Sequence, residues 1–398
     1  MILGADPLYA DGHVGLVVVL FVVVKTIITF ALLLVAVMLM IWFERKIIGD
    51  LQNRIGPNRA GPFGLLQTLA DGVKLMIKED IIPNRADRLM YRLAPYLVLL
   101  PAFLTFAVVP LSGNFAAGTD GVVKIFGHHT RLQLVDPPIG MLFVLAMGSI
   151  AVYGVLLAGW ASGSKYPLLS GVRASAQMVS YEAALGLSVA TVFLVTGHLT
   201  TSGIVSAQYT WSWNLWVTGL VPFIVFFVAS LAEHARPPFD IIEAEQELTG
   251  GFNTEYSSFR FAIFYLAEFM NAITLSAIVV TLFLGGPNGW YPPGPEWIWG
   301  LVWFFGKLIA LLYVLVWIRG TLPRLRYDQL MDLGWKLLIP LSLGWLLLLA
   351  AVRIGDDRNW NLFIVVPIVI AAMVVVGGLL AAAIRVGRSD RALAEVFE

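Results

Sequence analysis

The chain has 398 residues, of which 59% are hydrophobic and only 13% charged, and 26 basic residues balance 26 acidic ones. Soluble domains carry roughly 25% charged residues, so the composition indicates a membrane protein. A net charge of zero argues against a nucleic acid partner. The absence of cysteine excludes disulfides, thiolate-bound iron–sulfur clusters and cysteine zinc sites within this chain. The five histidines lack metal-ligand spacing, so no metal site is predicted.

Nine apolar stretches are long enough to cross a bilayer, which takes about 20 residues. They lie near residues 14–42, 90–111, 138–160, 174–197, 215–233, 259–284, 297–319, 336–352 and 360–385. The N-terminus lacks the basic segment of a cleavable signal peptide, so the first stretch is predicted to be a retained helix. We therefore predict an all-α fold, a polytopic integral membrane bundle of about nine transmembrane helices in a single membrane domain, residues 1–398.

Basic residues are distributed unevenly between the two sides of this predicted bundle. Twenty Lys and Arg residues fall in segments on one side and four on the other, with Lys25 and Lys307 inside spans. Cytoplasmic segments carry the excess of Lys and Arg, so the N-terminus is predicted outside and the C-terminus in the cytoplasm. Lys25 is predicted to lie near the outer face, in a structural role.

Segment 61–80 has the pattern of an amphipathic helix. Its polar residues recur at helical spacing, as do its apolar ones. The polar stripe is Gln67, Asp71, Lys74 and Lys78, and the apolar face is Leu66, Leu69, Val73 and Met76. The pattern predicts a helix lying in the cytoplasmic membrane interface. A helix packed on another subunit has the same periodicity, so that alternative stays open.

Three ionisable residues are predicted at comparable depth in three spans. From the helical rise per residue, Glu182 lies about 13 Å, Glu268 about 12 Å and Lys307 about 18 Å below the cytoplasmic ends of their spans. Each would be costly facing lipid, so each is expected to face the bundle interior or water, where such residues handle protons or ions. The alternative is an inert ion pair between Lys307 and one of the glutamates, which would only fix helix packing.

The predicted cytoplasmic loop at 233–258 is rich in acidic residues. It contains one arginine, Arg236, and six carboxylates: Glu233, Asp240, Glu243, Glu245, Glu247 and Glu255. On a helix Glu243 and Glu247 would share a face, where like charges repel. Such a cluster at a membrane boundary suits proton handling, although a solvated acidic surface would have the same composition.

Four sequence blocks carry a resemblance to a known family. They are Glu-Arg-Lys at 44–46 with Gln-Asn-Arg-Ile-Gly-Pro-Asn at 52–58 and Ala-Asp-Gly-Val-Lys at 70–74; the segment 159–182; the segment 233–268; and Arg-Gly-Thr-Leu-Pro-Arg-Leu-Arg-Tyr-Asp-Gln-Leu-Met at 319–331. The chain resembles the family of H-type membrane subunits of bacterial proton-pumping NADH:quinone oxidoreductase, respiratory complex I. The resemblance extends over most of residues 44–340.

The resemblance implies roles for particular residues. A quinone-binding region would include Glu44, Arg45, Asp71 and Lys74, matching the family's quinone chamber. An acidic funnel coupling quinone reduction to proton pumping would include Glu182, Glu233, Asp240, Glu243, Glu245, Glu247 and Glu268. Lys307 joins these proton-coupling residues on the depth estimate alone. No catalytic redox residue is expected in the chain itself, which would act as one subunit of the translocase.

The resemblance also implies partners and a location. Quinone would be the substrate, whereas NADH, FMN and iron–sulfur clusters would bind to partner subunits. Those partners would be the peripheral-arm quinone-site and iron–sulfur subunits, small membrane-arm subunits and antiporter-like subunits, together with lipid, in the plasma membrane of a bacterium. Two alternatives stay open: an anchor subunit of a membrane-bound hydrogenase or related quinone reductase, and an ion-coupled transporter.

The sequence departs from the family pattern in two places. His-Ala-Arg-Pro-Pro-Phe at 234–239 stands where Thr-Asn-Arg-Ala-Pro-Phe is commoner. The family core usually has eight spans, so the stretch at 360–385 is predicted to be an additional C-terminal transmembrane helix.

Overall fold

The computed structural model describes residues 6–9, 15–115, 121–125, 127–240, 250–358 and 360, with scattered positions between 367 and 378. Its helices are α1 (Leu16–Leu51), α2 (Gln67–Ile77), α3 (Arg88–Phe106), α4 (Gly140–Ala161), α5 (Lys165–Thr196), α6 (Thr201–Ala207), α7 (Asn214–Val217), α8 (Leu220–Glu233), α9 (Ser258–Phe283), α10 (Glu296–Thr321) and α11 (Tyr327–Asp357). Residues 333–338 of α11 form a π-helical segment. The predicted all-α membrane fold is confirmed.

Seven of the described helices are long and apolar enough to cross a membrane, and α8 is a shorter apolar helix. These eight correspond to the first eight predicted spans. The observed α1 continues nine residues past the predicted end at residue 42, and α11 begins nine residues before the predicted start at residue 336. The predicted ninth span at 360–385 lies almost entirely outside the described residues.

Local sequence signals explain where several helices begin and end. The Asp87 carboxylate accepts hydrogen bonds from the backbone N–H groups of Leu89 and Met90, which caps the start of α3. Helix α5 ends at Gly197, whose φ of +71° places it in the left-handed region that glycine adopts without strain. Pro237 and Pro238 follow α8 and are joined by a cis peptide bond.

Helices α3, α4 and α5 pack closely because glycine occupies the contact points. A Cβ atom at Gly159 would lie 2.5 Å from the carbonyl oxygen of Pro167 in α5. A Cβ atom at Gly154 would lie 2.5 Å from a methyl carbon of Val98 in α3. Small residues let membrane helices approach to backbone contact, so α4 is held between its two neighbours.

Helix α9 forms the centre of the bundle. Ala267, Met270, Ala277 and Val280 along its length are completely buried. It contacts α1, α2, α3, α8 and α10. Side chains that α9 presents to these neighbours are therefore enclosed by protein, which is the placement expected for ionisable residues in a membrane span.

A two-stranded hairpin, β1 (Val122–Ile125) and β2 (His128–Arg131), lies between α3 and α4 and was not predicted. The strands are antiparallel, with Val122 opposite Arg131. Close to β2, Lys25 of α1 pairs with Asp6 at 2.6 Å, and Thr130 of β2 donates a hydrogen bond to the same carboxylate. These bonds tie α1 to the N-terminal segment and to β2.

Candidate functional site

A buried ionic network joins three parts of the chain that are distant in sequence. Arg236, in the loop after α8, contacts Glu44 of α1 with its Nη1 atom 2.8 Å from Oε2. Its Nη2 atom lies 3.2 Å from Oε1 of Glu268 in α9. Arg319 of α10 bonds to the other oxygen of Glu44. Two arginines thus bridge two glutamates, and one buried carboxylate serves both arginines.

Arg236 is held in place by this network. Its side chain is only 6% exposed, and its guanidinium carbon lies 4.3 Å from the ring centroid of Phe269. Burial alone would lower the pKa of Arg236, but the charges of Glu268 and Glu44 outweigh burial and raise the pKa. The arginine therefore remains charged and stabilises the ionised form of both glutamates.

Asp240, the last described residue before the gap in the acidic loop, lies close enough to this network for its charge to act on Glu268. The Asp240 carboxylate is buried and forms an ion pair with Arg324, whose Nη2 atom lies 3.0 Å from Oδ2. Its Oδ1 atom is buried and has no hydrogen-bond partner among the described residues. Three predicted proton-coupling residues, Glu243, Glu245 and Glu247, lie outside the described residues.

Two further predicted glutamates, Glu182 and Glu233, lie together between α4, α5 and the end of α8. Ser149 of α4 donates a hydrogen bond to Glu182. A Cβ atom at the adjacent Gly148 would lie 3.1 Å from Oε1 of Glu233, so this carboxylate approaches the α4 backbone where a side chain would obstruct it. Glu182 and Glu233 are close enough to repel each other electrostatically.

Two small cavities border Glu233, and one of them also borders Glu268. The larger, of about 60 Å³, has mostly apolar walls, and its polar members are Glu233, His234, Asn253, Glu268 and Asn271. The second, of about 40 Å³, shares Glu233, His234 and Asn271 and extends to Thr274. A site that holds one water needs about 10–15 Å³ and two or more polar partners, so both cavities are suited to water. We call the larger one the acidic cavity.

His234 contributes to the walls of both cavities. The sequence did not predict a functional role for this residue. Its Nδ1 atom bonds to the carbonyl oxygen of Ser230, and its buried Nε2 atom has no hydrogen-bond partner among the described residues. Burial lowers the pKa of His234, and the positive charge of Arg236 acts in the same direction. The imidazole is therefore neutral near pH 7. The sequence feature that could have indicated a role for His234 is its position beside Glu233, where the family more commonly has threonine.

A larger apolar pocket of about 380 Å³ lies between α1, α2, α3 and α9. Its walls are mostly aliphatic and aromatic, and the charged residues among them are Arg45 of α1 and Asp71 of α2. Arg45 Nη1 lies 2.7 Å from Asp71 Oδ2, and Gln67 donates a hydrogen bond of 3.1 Å to the other oxygen. Leu69, Val73 and Met76 of the predicted apolar face of α2 contribute to the wall, yet each side chain is still 48–65% exposed.

Charge pairing controls the ionisation of Asp71. Burial alone would raise the pKa of Asp71, but hydrogen bonds from Arg45 and Gln67, with the charges of Arg45 and Lys74, lower the pKa below its usual value. Asp71 is thus ionised at neutral pH, and its ion pair with Arg45 persists. Lys74 acts on Asp71 by its charge and does not contribute to the pocket wall.

The predicted quinone-region and proton-coupling residues therefore form three groups. Arg45 and Asp71 meet in the apolar pocket, Glu44 and Glu268 share Arg236, and Glu182 lies with Glu233. Glu44 was grouped with the quinone region, but its contacts place it in the ionic network. Distances between residues so far apart in sequence could not be read from the sequence.

Lys307 lies apart from these three groups. Its ammonium group donates hydrogen bonds to the carbonyl oxygens of Leu284, Gly286 and Asn288, at 2.6, 2.9 and 2.6 Å. It also lies 4.5 Å from the ring centroid of Trp213. Its bonds go to the segment after α9, whereas Glu268 lies near the other end of that helix. These contacts do not form the inert pair with Glu182 or Glu268 that the sequence left open.

We expect Lys307→Met to reduce stability rather than turnover. The substitution leaves three carbonyl groups without their donor, and a buried polar group without a partner costs about 1–3 kcal/mol. The measurement is the thermal inactivation midpoint and the quinone reductase rate per assembled complex. A normal midpoint with a reduced rate would instead support the proton-coupling role predicted for Lys307.

The described residues contain no group of three or more His, Asp and Glu side chains able to hold a metal ion. The described part of the chain thus offers an apolar pocket of about 380 Å³ and an acidic cavity of about 60 Å³.

Comparison with known proteins identifies relatives over most of the chain. A family model described as NADH dehydrogenase matches residues 24–350. The H subunit of NADH-quinone oxidoreductase from Streptomyces avermitilis is 49% identical over 348 residues, which cover 85% of this chain and 75% of the relative. The protein of the same name from Frankia alni is 48% identical over 375 residues, which cover 91% of this chain and 79% of the relative.

Proposed function

This chain belongs to the NADH dehydrogenase family, and from that premise we propose that its apolar pocket binds quinone and its acidic cavity couples quinone reduction to proton movement. The chain is a membrane subunit of NADH-quinone oxidoreductase, as the names of its relatives indicate. Those names do not favour a hydrogenase anchor or an ion-coupled transporter. The proposal concerns what this subunit contributes.

The pocket that contains Arg45 and Asp71 is the observation that carries the quinone part of the proposal. Ligand pockets are mostly apolar, with a few polar groups that orient the ligand, and occupy about 300–1,000 Å³. A pocket of about 380 Å³ with one ion pair in its wall matches this description. The aliphatic walls suit an isoprenoid tail, and the Arg45 guanidinium can donate a hydrogen bond to a quinone carbonyl.

The proton part of the proposal rests on how the carboxylates are enclosed. Glu268 reaches Arg236 on one side and the acidic cavity on the other. Glu233 borders the same cavity and lies beside Glu182. Water in the acidic cavity would let a proton pass between Glu233 and Glu268, and Arg236 would stabilise Glu268 when that carboxylate is ionised.

We also propose the partner subunits and the membrane orientation of this chain. NADH, FMN and iron–sulfur clusters bind to partner subunits, and antiporter-like partners complete a proton translocase. Helix α2 lies at the cytoplasmic interface, the N-terminus lies outside and the C-terminus in the cytoplasm, supported by the count of twenty basic residues against four. The loop at 233–258 faces the cytoplasmic side, and 360–385 forms an additional transmembrane helix.

Substitution of Asp71 tests the quinone pocket. In membranes containing the assembled complex, we expect Asp71→Asn to raise the KM for a short-chain quinone about tenfold. The reason is that Arg45 loses the charged partner that orients it, and a charge-assisted hydrogen bond contributes about 1.5–3 kcal/mol. NADH oxidation by an artificial acceptor that reacts at the flavin should be unchanged.

A matched control is Asp332→Asn, because Asp332 forms an ion pair with Lys336 at 2.5 Å on a more exposed part of α11. This variant should have wild-type quinone titration, since exposed pairs contribute little. A wild-type KM and inhibitor sensitivity in Asp71→Asn would remove the support for quinone binding in this pocket.

A further inference from the structure

A second apolar pocket of about 380 Å³ lies between α1, α9 and α10. It is lined by residues from 32–43 of α1 and 305–312 of α10, together with Ile273 of α9. All the described residues that line it are apolar, whereas the pocket assigned to quinone contains the charged pair of Arg45 and Asp71. We call this second pocket the α1–α10 groove. The proposed function makes no use of it.

The floor of the groove is buried and its rim is open. On the floor, Ile273 is 1% exposed and Leu308 is 4% exposed. On the rim, Val35 of α1 is 53% exposed and Ile309 of α10 is 54% exposed, so none of the described residues covers them. Both helices are long and apolar enough to cross a membrane, and the opening of the groove therefore lies within the bilayer.

The groove extends over one leaflet of that bilayer. Its α1 residues run from Leu32 to Phe43, a rise of about 16 Å along a helix. Phe43 is the last apolar residue before Glu44, so this end lies near the hydrocarbon boundary and Leu32 near the middle of a core about 30 Å thick. A phospholipid acyl chain occupies one leaflet, whereas a transmembrane helix of a partner crosses both. The length of the groove therefore fits an acyl chain.

The groove is closed at the Phe43 end, where α1 and α10 meet. The rings of Phe43 and Tyr313 pack edge to face with their centroids 6.4 Å apart. Nearer the ends of the two helices, a Cβ atom at Gly320 would lie 2.9 Å from Cδ1 of Leu51. A chain in the groove cannot continue between the helices past this point, so its polar end must lie on the outside of the helix pair.

Side chains suited to a lipid headgroup surround the closed end. The Trp42 indole N–H donates a hydrogen bond of 3.0 Å to the carbonyl oxygen of Phe63, and Trp317, one turn past Tyr313, is 49% exposed. Tryptophan is enriched at the level of the headgroups. Lys46 follows Trp42 by four residues, on the same face of α1, and has no ion-pair partner among the described residues. Its ammonium is thus available to a phosphate.

We propose that the α1–α10 groove binds one acyl chain of an anionic phospholipid whose phosphate contacts Lys46. In the orientation proposed above, this lipid belongs to the cytoplasmic leaflet. The groove and the pocket assigned to quinone share no lining residue, so the two ligands do not compete. The chain fills the part of the α1–α10 interface that side chains leave empty, and its contacts hold the two helices together.

The test is photocrosslinking in membranes that contain the assembled complex. The probe is a phosphatidylglycerol with a diazirine near the end of one acyl chain, and mass spectrometry of the digested subunit identifies the labelled peptides. We expect labels within 32–43 and 305–312, the two segments that line the groove. A phosphatidylcholine with the same chain measures how far labelling depends on the headgroup charge.

Large side chains placed in the groove should exclude the lipid. Ala36→Phe fills it from α1 and should abolish the labels on α10, and Ile309→Trp fills it from α10 and should abolish the labels on α1. The matched control is Ala31→Phe, because Ala31 is exposed on the same helix and does not line the groove. It should be labelled as wild type is. Complex content and NADH oxidation by an artificial acceptor show that each variant assembles.

Lys46→Gln tests the headgroup contact separately. It should lower the preference for the anionic probe over the zwitterionic one about fivefold, the contribution of one basic residue near an anionic membrane surface. The length of the side chain is nearly kept, so the chain in the groove should still be labelled. Equal labelling by the two probes in the wild type, unaffected by Lys46→Gln, would remove the anionic headgroup from the proposal.

Three further outcomes would overturn the acyl-chain site. Absence of labels on both segments in the wild type would mean that a partner subunit covers the groove. Labels that persist in Ala36→Phe and Ile309→Trp would mean contact with bulk lipid only. Displacement of the lipid labels by a long-chain quinone would assign the groove to an isoprenoid tail. None of these measurements uses quinone reduction, so they are independent of the Asp71→Asn test.

Discussion

Replacing Arg236 with methionine is expected to lower the stability of the protein by about 3–5 kcal/mol and to prevent most of the complex from assembling. Removal of one partner from a buried ion pair leaves the other charge without compensation. Here one arginine serves two carboxylates, Glu44, which is buried, and Glu268, which is partly buried. Methionine has a similar length, so the loss would come from charge rather than from a cavity. The measurement is the amount of assembled complex and its thermal inactivation midpoint.

Two comparisons separate the electrostatic effect from packing. Lys336→Met removes a partly exposed partner of Asp332 and should change the midpoint little, since exposed pairs contribute about 0–1 kcal/mol. A double variant, Arg236→Met with Glu268→Gln, removes the carboxylate that loses its ion-pair partner, whereas Glu44 keeps Arg319, and it should recover part of the lost stability. An Arg236→Met protein that assembles and melts like wild type would contradict the ionic network.

Glu268→Gln is expected to lower quinone reductase activity about tenfold or more, the scale of a lost acid–base group. Glutamine keeps the shape and the contact with Arg236 but cannot take or release a proton. Flavin-site oxidation of NADH by an artificial acceptor should remain normal, because that reaction does not involve quinone. The measurement is both rates in the same membranes, with proton uptake into vesicles measured in parallel.

Glu296→Gln is the matched control, because Glu296 is exposed at the start of α10 and contributes to neither cavity. It should have wild-type rates. If Glu268→Gln reduces quinone at the normal rate with normal proton uptake, Glu268 only fixes helix packing.

Helix positions were accessible from the sequence because membrane spans require long apolar stretches, and eight of the nine predicted spans correspond to described helices. The ends of the helices were predicted less accurately. Hydropathy ends at Glu44, yet α1 continues to Leu51 because Glu44 and Arg45 find partners inside the protein. The start of α11 at Tyr327 was missed because its first turns contain polar and charged residues.

The depth estimate located Glu268 in the bundle interior but gave no direction for the side chains. Lys307 has a long side chain whose amine bonds three carbonyl groups after α9, so its depth did not place it with the glutamates. Likewise, the pairing of Arg236 with Glu44 spans 192 residues of sequence and depends on how α1, α9 and the loop after α8 pack.

The double pairing of Glu44 has a consequence for how the protein is made. Glu44 is synthesised early, but its partners Arg236 and Arg319 follow 192 and 275 residues later. During insertion the first helix must therefore wait with an uncompensated carboxylate until most of the polypeptide has left the ribosome. A chain that stops before residue 319 lacks the second of these partners, and Glu44 then has Arg236 alone to balance its charge.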